Sequence, residues 1–302
     1  MPEGTLHGPG ELRRFMLEEH PVRGHWVLLG EAWRELRSLQ PYPPVVDELL
    51  GQAVTAAVLL AATLKFEGKL TLQLSGTGPV SLLVAQCTHD FCIRAVAQHA
   101  ETLDPDSAFH TLVGSGRLVV TIEATERGTR YQGIVPLEGA SMSSCLETYF
   151  ATSEQLPTRL CLASDAEHAG GLLIQKLPAA GGEAAGAVTQ EAWEQLTHGL
   201  DELAPAGLLE TPIDTLLPQL CGPFDSRLFA ASQVQFECGC SRERVAAVLR
   251  SLGKAEVDSV LAEQGSVTVT CEFCRRPYRF DAVDAVSLFA DASLAEPPAS
   301  IN

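Results

Sequence analysis

The chain has 302 residues and a formal net charge of −17, from 21 Lys and Arg against 38 Asp and Glu. Such an acidic balance argues against nucleic acid as a partner, because nucleic-acid-binding proteins carry clusters of basic residues. Residues 1–14 are polar and lack the apolar run of a secretory signal. Nine cysteines without such a signal are typical of a reducing, cytoplasmic compartment, where close Cys pairs more often serve metal or redox chemistry than structural disulfides.

Helical patterns come first along the chain. The sequence predicts a short amphipathic helix over residues 11–19, a second helix over 26–40 that ends at a cluster of prolines, and a long helix over 45–66. The long helix carries no charge between residues 49 and 64. This run is shorter than the roughly 20 apolar residues of a membrane span and includes polar side chains. We therefore expect a buried core helix and no membrane partner.

Alternating patterns follow and predict strands separated by turns. The strands are expected at residues 70–74, 80–85, 93–97, 118–124, 131–135, 160–163 and 172–176, with one helix at 141–155. These elements predict an α+β core domain over residues 1–178, with a mixed sheet and packed helices. The Gly-rich segment 75–79 lies between two strands and is expected to be a turn, not a phosphate-binding loop. The eight His residues are scattered, and no catalytic residue is predicted.

A segment rich in Gly and Ala, residues 178–186, marks a boundary, and we expect a flexible, helical linker over 179–232. Trp193, Leu196, Leu200 and Leu203 recur at helical spacing and form one apolar stripe. A second stripe follows at residues 213–220, interrupted by prolines. Helices this short need an apolar surface to pack on, so the linker is expected to be only marginally stable.

Two close pairs of cysteines, Cys238/Cys240 and Cys271/Cys274, characterise the last segment, residues 233–302. Each pair falls where a turn is expected, and the residues between the pairs predict helix, helix and strand. Four thiolates suit one tetrahedral ion, and zinc fits them best. A domain of about 70 residues builds a marginal core, so the sequence predicts a small C-terminal zinc-binding domain that depends on one Zn²⁺.

The charge of this segment does not favour nucleic acid. Seven basic and six acidic residues lie between Cys238 and Asp281. A zinc tetrathiolate adds further negative charge, whereas a nucleic-acid-binding zinc domain is usually basic. We expect Arg242, Arg275 and Arg276 to stabilise the thiolates instead, together with the N-terminus of a helix that Ser241 caps directly after Cys240.

The chain resembles the bacterial 33-kDa heat-shock chaperonins, which are redox-regulated holdases. The resemblance covers the zinc segment and the core domain: Phe236-Glu-Cys-Gly-Cys-Ser-Arg-Glu-Arg244, Cys271-Glu-Phe-Cys274, Tyr278-Arg-Phe-Asp281, Leu72-Gln-Leu-Ser-Gly-Thr-Gly-Pro79, Arg130-Tyr-Gln-Gly-Ile-Val-Pro-Leu-Glu-Gly139 and Tyr149-Phe-x-x-Ser-Glu-Gln-Leu-Pro-Thr158. One departure is Ile93-Arg-Ala95, where the family often has an Arg-Gly pair.

The resemblance implies a specific function. In the reduced protein, four thiolates would hold zinc and the chaperone would be inactive. Oxidants would form the disulfides Cys238–Cys240 and Cys271–Cys274 and release the metal, and the zinc domain and linker would then unfold. The active form, a homodimer, would bind unfolded client proteins without ATP. The apolar stripe of Trp193, Leu196, Leu200 and Leu203 is our candidate client-binding surface.

Two alternatives stay open at this point. The chain could be an enzyme of unknown chemistry with a structural zinc module, or a dithiol oxidoreductase that uses Cys271 and Cys274. Five further cysteines lie outside the zinc set, and most are expected to be buried apolar side chains. Only the one in the linker is a candidate for extra disulfides. The five are Cys87, Cys92, Cys145, Cys161 and Cys221.

Overall fold

The computed structural model describes residues 10–125, 130–178 and 183–290. The chain divides into two compact units, Met1–Glu237 (unit 1) and Cys238–Asn302 (unit 2). Helices and strands occur in both units, so the predicted α+β class is confirmed. Each unit has its own hydrophobic core, and the two are described separately below.

Unit 1 is built on a large mixed sheet. Within the described residues the sheet has eleven strands in the order β7-β6-β3-β4-β5-β11-β1-β2-β9-β8, with β10 paired to β1. The strands are β1 (Gly10–Leu17), β2 (Val22–Leu29), β3 (Gly68–Gly76), β4 (Val80–Thr88), β5 (Cys92–His99), β6 (Gly116–Ala124), β7 (Arg130–Pro136), β8 (Thr158–Ser164), β9 (Ala169–Lys176), β10 (Ser226–Leu228) and β11 (Ser232–Phe236). All seven predicted strands are confirmed. The predicted turn at 75–79 is found at its last three residues, 77–79, which connect β3 to β4.

Strand β11 joins the two halves of this sheet. It pairs antiparallel with β1, where Val234 is opposite Gly10, and parallel with β5, where Gln235 is opposite Cys92. The position expected for the start of the last domain, residue 233, thus falls inside a strand of unit 1. The compact units divide five residues later, between Glu237 and Cys238.

The first two predicted helices are wrong in part. Residues 11–19 lie mostly in strand β1, and residues 26–40 are divided between strand β2 and a helix that begins after Gly30. In β1 the buried side chains Leu12 and Phe15 are three residues apart, a spacing that imitates a helix. The strand changes partner there, from β11 to β10, which interrupts its alternation. Sheet pairing overrides the local pattern.

Four helices pack with the sheet. They are α1 (Glu31–Leu39), α2 (Pro44–Ala62), α3 (Phe109–Val113) and α4 (Met142–Tyr149), the last continuing as a π-helical turn, Phe150–Glu154. Helix α2 has Pro44 in its first turn, where the missing N–H costs no helical hydrogen bond. It is long and apolar enough to cross a membrane by length and composition, but 78% of its most apolar stretch is buried in the fold. It is the core helix that the sequence predicted.

Three further helices cover the other part of the sheet. They are α5 (Glu183–Glu202), α6 (Pro205–Glu210) and α7 (Ile213–Cys221). Their apolar side chains form a second core cluster with Phe15, Trp26 and Leu172 of strands β1, β2 and β9. Residues 179–182 of the predicted flexible boundary lie outside the described residues.

Unit 2 contains helices α8 (Arg242–Leu252) and α9 (Lys254–Gln264), strands β12 (Val267–Thr270) and β13 (Pro277–Phe280), and helix α10 (Ala282–Ala290). The helix, helix, strand order predicted between the two Cys pairs is confirmed. Its core is small. The buried side chains are Val245, Ala246, Leu249, Val257, Val267, Tyr278, Phe280, Ala285 and Leu288.

Candidate metal centre

The first cysteine pair lies in a short connection between β11 and α8. Ser241 caps α8 by accepting a hydrogen bond from the Arg244 backbone N–H (3.3 Å), as the sequence predicted. The Arg244 side chain donates to the Gly239 carbonyl oxygen. These contacts fix the connection and place Cys240 directly before the helix N-terminus, whose partial positive charge favours a thiolate.

The second pair lies in the turn between β12 and β13. The Arg275 backbone N–H donates to the Cys271 carbonyl oxygen (2.8 Å), and the Cys271 N–H donates to the Arg276 carbonyl oxygen (3.0 Å). Arg275 adopts a left-handed conformation with φ 57°, which closes the turn. The turn brings Cys271 and Cys274 to one side of the hairpin.

All four cysteines predicted as metal ligands meet in one cluster. Their Sγ atoms lie within 4.8 Å of one another. Two contacts join the pairs to each other, with 3.7 Å from Cys238 Sγ to Cys271 Sγ and 3.3 Å from Cys240 Sγ to Cys274 Sγ. These separations exceed the roughly 2.05 Å of a disulfide bond, and all four are free thiols.

The cluster fits a tetrahedral metal ion. Zinc–sulfur bonds of about 2.3 Å in a tetrahedron place sulfur atoms about 3.8 Å apart, close to the observed Sγ separations. Four thiols of intermediate burial, two of which (Cys240 and Cys271) also pack against the core of unit 2, can hold a metal ion there. Two of the side chains that could hold a metal ion therefore also take part in the packing of unit 2.

The ionisation of the thiols is uneven. Partial burial opposes ionisation of Cys240, but hydrogen bonds from the Tyr278 hydroxyl (3.0 Å) and from the neighbouring thiols lower its pKa to about 7. Burial and the neighbouring thiols raise the pKa of Cys274 to about 12, and burial likewise raises the pKa of Cys238. Cys240 is thus the first of these three to become a thiolate.

The cysteine motifs alone do not predict the contact that Tyr278 makes with the cluster. It lies in β13 opposite Val269, two residues before Cys271, and the hairpin register brings its hydroxyl to the cluster. A hydrogen-bond donor to a metal-binding sulfur belongs to the outer shell of the site and influences its affinity. The signal available from the sequence was the position of Tyr278 four residues after Cys274, in the segment that forms β13.

The expected arginine contacts are met in part. A hydrogen bond with Tyr278, and then the charges of Tyr278, Cys240 and Cys274, raise the pKa of Arg276, so Arg276 is the predicted arginine that interacts with the cluster. The contacts of Arg242 are with other residues of unit 2. It forms an ion pair with Asp284 (2.7 Å) and lies over the Phe280 ring, 4.2 Å from its centroid, so it supports the core of unit 2.

The five other cysteines and the predicted client-binding residues lie outside the cluster of four thiols. Four of the five other cysteines are buried, as expected, and Cys161 is half-buried. Cys221, the candidate for extra disulfides, lies in the second core cluster. The predicted apolar stripe Trp193, Leu196, Leu200 and Leu203 is here called the α5 seam. Leu196 and Leu200 are buried in that cluster, while Trp193 and Leu203 pack against it and are partly buried. In this structure the seam is covered by contacts within unit 1.

Comparisons with known proteins agree over almost the whole chain. The family model described as "Hsp33 protein" matches residues 10–281. The 33 kDa chaperonin of Nitrosococcus oceani is 42% identical over 286 residues, 95% of this chain and 96% of the relative. That of Pseudomonas aeruginosa PAO1 is 41% identical over 287 residues, 94% and 96% of the two chains. The crystal structure of the 33 kDa chaperonin from Thermotoga maritima shares the fold, with a TM-score of 0.82 and 24% identity over 95% of this chain and 99% of that one.

The fold and the site define a class of protein: an α+β unit followed by a small unit whose four thiols can hold a metal ion. The chain belongs to the Hsp33 family. Its relatives are named chaperonins, so the protein is a chaperone and not an enzyme. Both enzyme alternatives raised by the sequence are thereby set aside.

Proposed function

We propose that this protein is a redox-regulated, ATP-independent holdase that protects unfolded proteins in the cytoplasm during oxidative stress. The observation that carries the proposal is the convergence of Cys238, Cys240, Cys271 and Cys274 in a unit with a small core. Neither nucleic acid nor a membrane has a part in this function.

The resting state is the reduced form with one Zn²⁺ bound by the four cysteines. Bound zinc supplies structural cross-linking, worth roughly 10–16 kcal/mol in small zinc domains, comparable to the ~5–15 kcal/mol stability of a whole domain. Cys240 and Cys271 contribute to both the cluster and the apolar core. Unit 2 is therefore expected to depend on its metal.

Oxidation removes the ligands. An oxidant such as hypochlorite takes two electrons from each pair of thiols, forms the Cys238–Cys240 and Cys271–Cys274 disulfides and is reduced to chloride and water. Sulfur in a disulfide no longer ligates metal in this way. Each disulfide closes a very short loop, which constrains the unfolded chain little and does not replace the lost metal. Unit 2 then unfolds.

The linker is the second element of the proposal. Helices α5–α7 are short and gain their stability by packing on strands of unit 1. Chain continuity from α7 through β10 and β11 to Cys238 joins them to the cysteine cluster. Their release would expose the α5 seam and the apolar surface below it to unfolded clients, with a homodimer as the active form.

A set of cysteine variants tests the proposal. Cys240→Ser and Cys271→Ser each remove a ligand, so both variants are expected to lose zinc and to suppress aggregation of an unfolded client already in reductant. Wild type should do so only after hypochlorite. Cys161→Ser, outside the cluster, is the matched control and should behave as wild type. Ligand variants that lose zinc without protecting the client, or wild type that is equally active in both states, would contradict the proposal.

A further inference from the structure

Unit 1 contains a cavity that the proposed function does not use. It has a volume of about 320 Å³, at the low end of the range for small-molecule sites. Its walls are mainly apolar and include Leu60 from α2, Leu64 just after the end of that helix, Val120 and Ile122 from β6, and Phe150. Leu64 is 41% exposed, so the cavity reaches solvent beside this side chain.

The cavity also has one cationic lining group, the half-buried Arg23 of β2. Its Nε and Nη2 both donate to the side-chain oxygen of Gln175, at 3.0 and 2.6 Å. The Gln175 amide nitrogen donates to Thr158 Oγ1 (2.9 Å), which fixes the orientation of this amide. The hydrogen-bond partner of the guanidinium is thus a neutral group.

No ion pair compensates this charge. Over residues 10–125, 130–178 and 183–290, no carboxylate lies within 4.0 Å of the Arg23 guanidinium. Burial and the charge of Arg14 lower the pKa of Arg23, which is the direction expected for a cation without a counter-charge. A half-buried, uncompensated guanidinium is an unfavourable arrangement that an anion would relieve.

The carboxylate that lines the cavity, Glu154, already has hydrogen-bond partners. Glu154 Oε1 accepts hydrogen bonds from the hydroxyls of Tyr131 (2.9 Å) and Tyr149 (2.8 Å). These contacts hold Glu154 beside the two tyrosines and not within ion-pair distance of Arg23. The cavity therefore combines apolar walls with an available positive charge.

We propose that this cavity binds a small amphipathic carboxylate, a medium-chain fatty acid in chemical class, with the carboxylate on the Arg23 guanidinium and the alkyl chain against the apolar walls. Charge complementarity selects the carboxylate over an alcohol or an amine of equal length. The site lies wholly in unit 1 and does not depend on the redox state of the four cysteines.

Calorimetric titration of the reduced, full-length protein tests the site with octanoate, octanol and octylamine as probes. Octanoate is expected to bind one to one, at least about tenfold more tightly than octanol, because only octanoate gains charge-assisted hydrogen bonds. Arg23→Met should reduce octanoate affinity to that of octanol and leave octanol unchanged. Equal affinity of octanoate and octanol for wild type, or full octanoate affinity in Arg23→Met, would overturn the proposal.

A second variant locates the site without touching the charge. Leu64→Trp places a large side chain at the cavity mouth and should abolish octanoate binding. Val248→Trp, at an apolar side chain of unit 2 that is 55% exposed, is the matched control and should bind as wild type. Octanoate binding that survives Leu64→Trp contradicts the assignment. If Arg23→Met fails to fold, this pair and the wild-type comparison of octanoate with octanol decide the question.

Discussion

At the scale of single residues, Tyr278 is the side chain that links unit 2 most directly to the chemistry of its thiols. Its hydroxyl donates to Cys240 Sγ at 3.0 Å. We predict that Tyr278→Phe lowers zinc affinity by about 10–100-fold, the usual effect of losing an outer-shell hydrogen bond. Competition with a chromogenic chelator in the reduced protein measures this affinity.

Tyr131→Phe is a suitable control, since it removes a tyrosine hydroxyl in unit 1 and leaves the cluster intact. Its zinc affinity should equal that of wild type. Should Tyr278→Phe retain full affinity, the hydrogen bond to Cys240 would have no part in metal binding.

His25 gives unit 1 a dependence on pH. Burial, and then the charges of Arg23 and Arg14, lower the pKa of this histidine to about 4. In the unfolded chain the His25 imidazole takes up a proton below about pH 6.5, whereas in the folded protein it stays neutral down to about pH 4. The free energy of unfolding therefore falls as the pH drops from about 6.5 to 4. One such group contributes a loss of the order of 2–4 kcal/mol across this window.

We predict that His25→Gln removes this part of the acid destabilisation. Hydrogen exchange of β2 peptides, followed by mass spectrometry between pH 4 and 7, reports it as a change in opening free energy. His198→Gln changes a histidine whose side chain is 69% exposed and should keep the wild-type profile. A His25→Gln profile that matches wild type would show that this buried histidine does not contribute.

At the scale of elements, the α5 seam carries the regulatory part of the proposal. Leu196 is 1% exposed in the second core cluster, and removing a buried leucine side chain costs about 2–5 kcal/mol. We predict that Leu196→Ala destabilises the docked α5 helix. The reduced, zinc-bound protein should then suppress client aggregation to a measurable extent.

Light scattering of a thermally unfolded client measures this effect. His198→Ala removes an exposed side chain of the same helix and should leave the reduced protein inactive. If Leu196→Ala undocks α5, as judged by hydrogen exchange, without any gain in client protection, the linker is not what restrains the chaperone.

The helices and strands also show which parts of the fold could be predicted from sequence patterns. Core strands such as β3 alternate regularly and were predicted, and the uncharged run of α2 predicted a core helix. The sequence predicts a helix where strand β1 lies, because the strand changes partner in its middle and no local pattern signals this tertiary contact. The place of β11 between β1 and β5 likewise depends on pairing across more than 140 residues.

Within the site, the spacing of the cysteines predicts that the four thiols come together, and their Sγ atoms do lie within 4.8 Å of one another. Close Cys pairs at turns have few other uses in a reducing compartment. The contacts of Arg242 with Asp284 and Phe280 could not be predicted, since they depend on how α10 packs in unit 2. The cavity beside Arg23 could not be predicted from the sequence either, because its walls come from helices and strands far apart in the chain.

At the scale of the whole molecule, the two compact units are expected to differ in their need for metal. Unit 1 has two extensive core clusters, whereas unit 2 has one small cluster, against which two of the four clustered cysteines pack. We predict that a chelator under reducing conditions removes hydrogen-exchange protection from α8, α9 and β12 and leaves α2, β3 and β4 protected. Equal loss of protection in both units would contradict this division.

The central claim is that oxidation of the four clustered thiols, metal release and chaperone activity are one event. The most direct test is a hypochlorite titration of the reduced, zinc-loaded protein, with bound zinc, free thiols and suppression of client aggregation measured on the same samples. The account predicts that one equivalent of zinc leaves as the four thiols are lost, that protection of the client rises in parallel, and that reductant with zinc reverses all three. Zinc that stays bound while protection appears, or that leaves without any gain in protection, would contradict it.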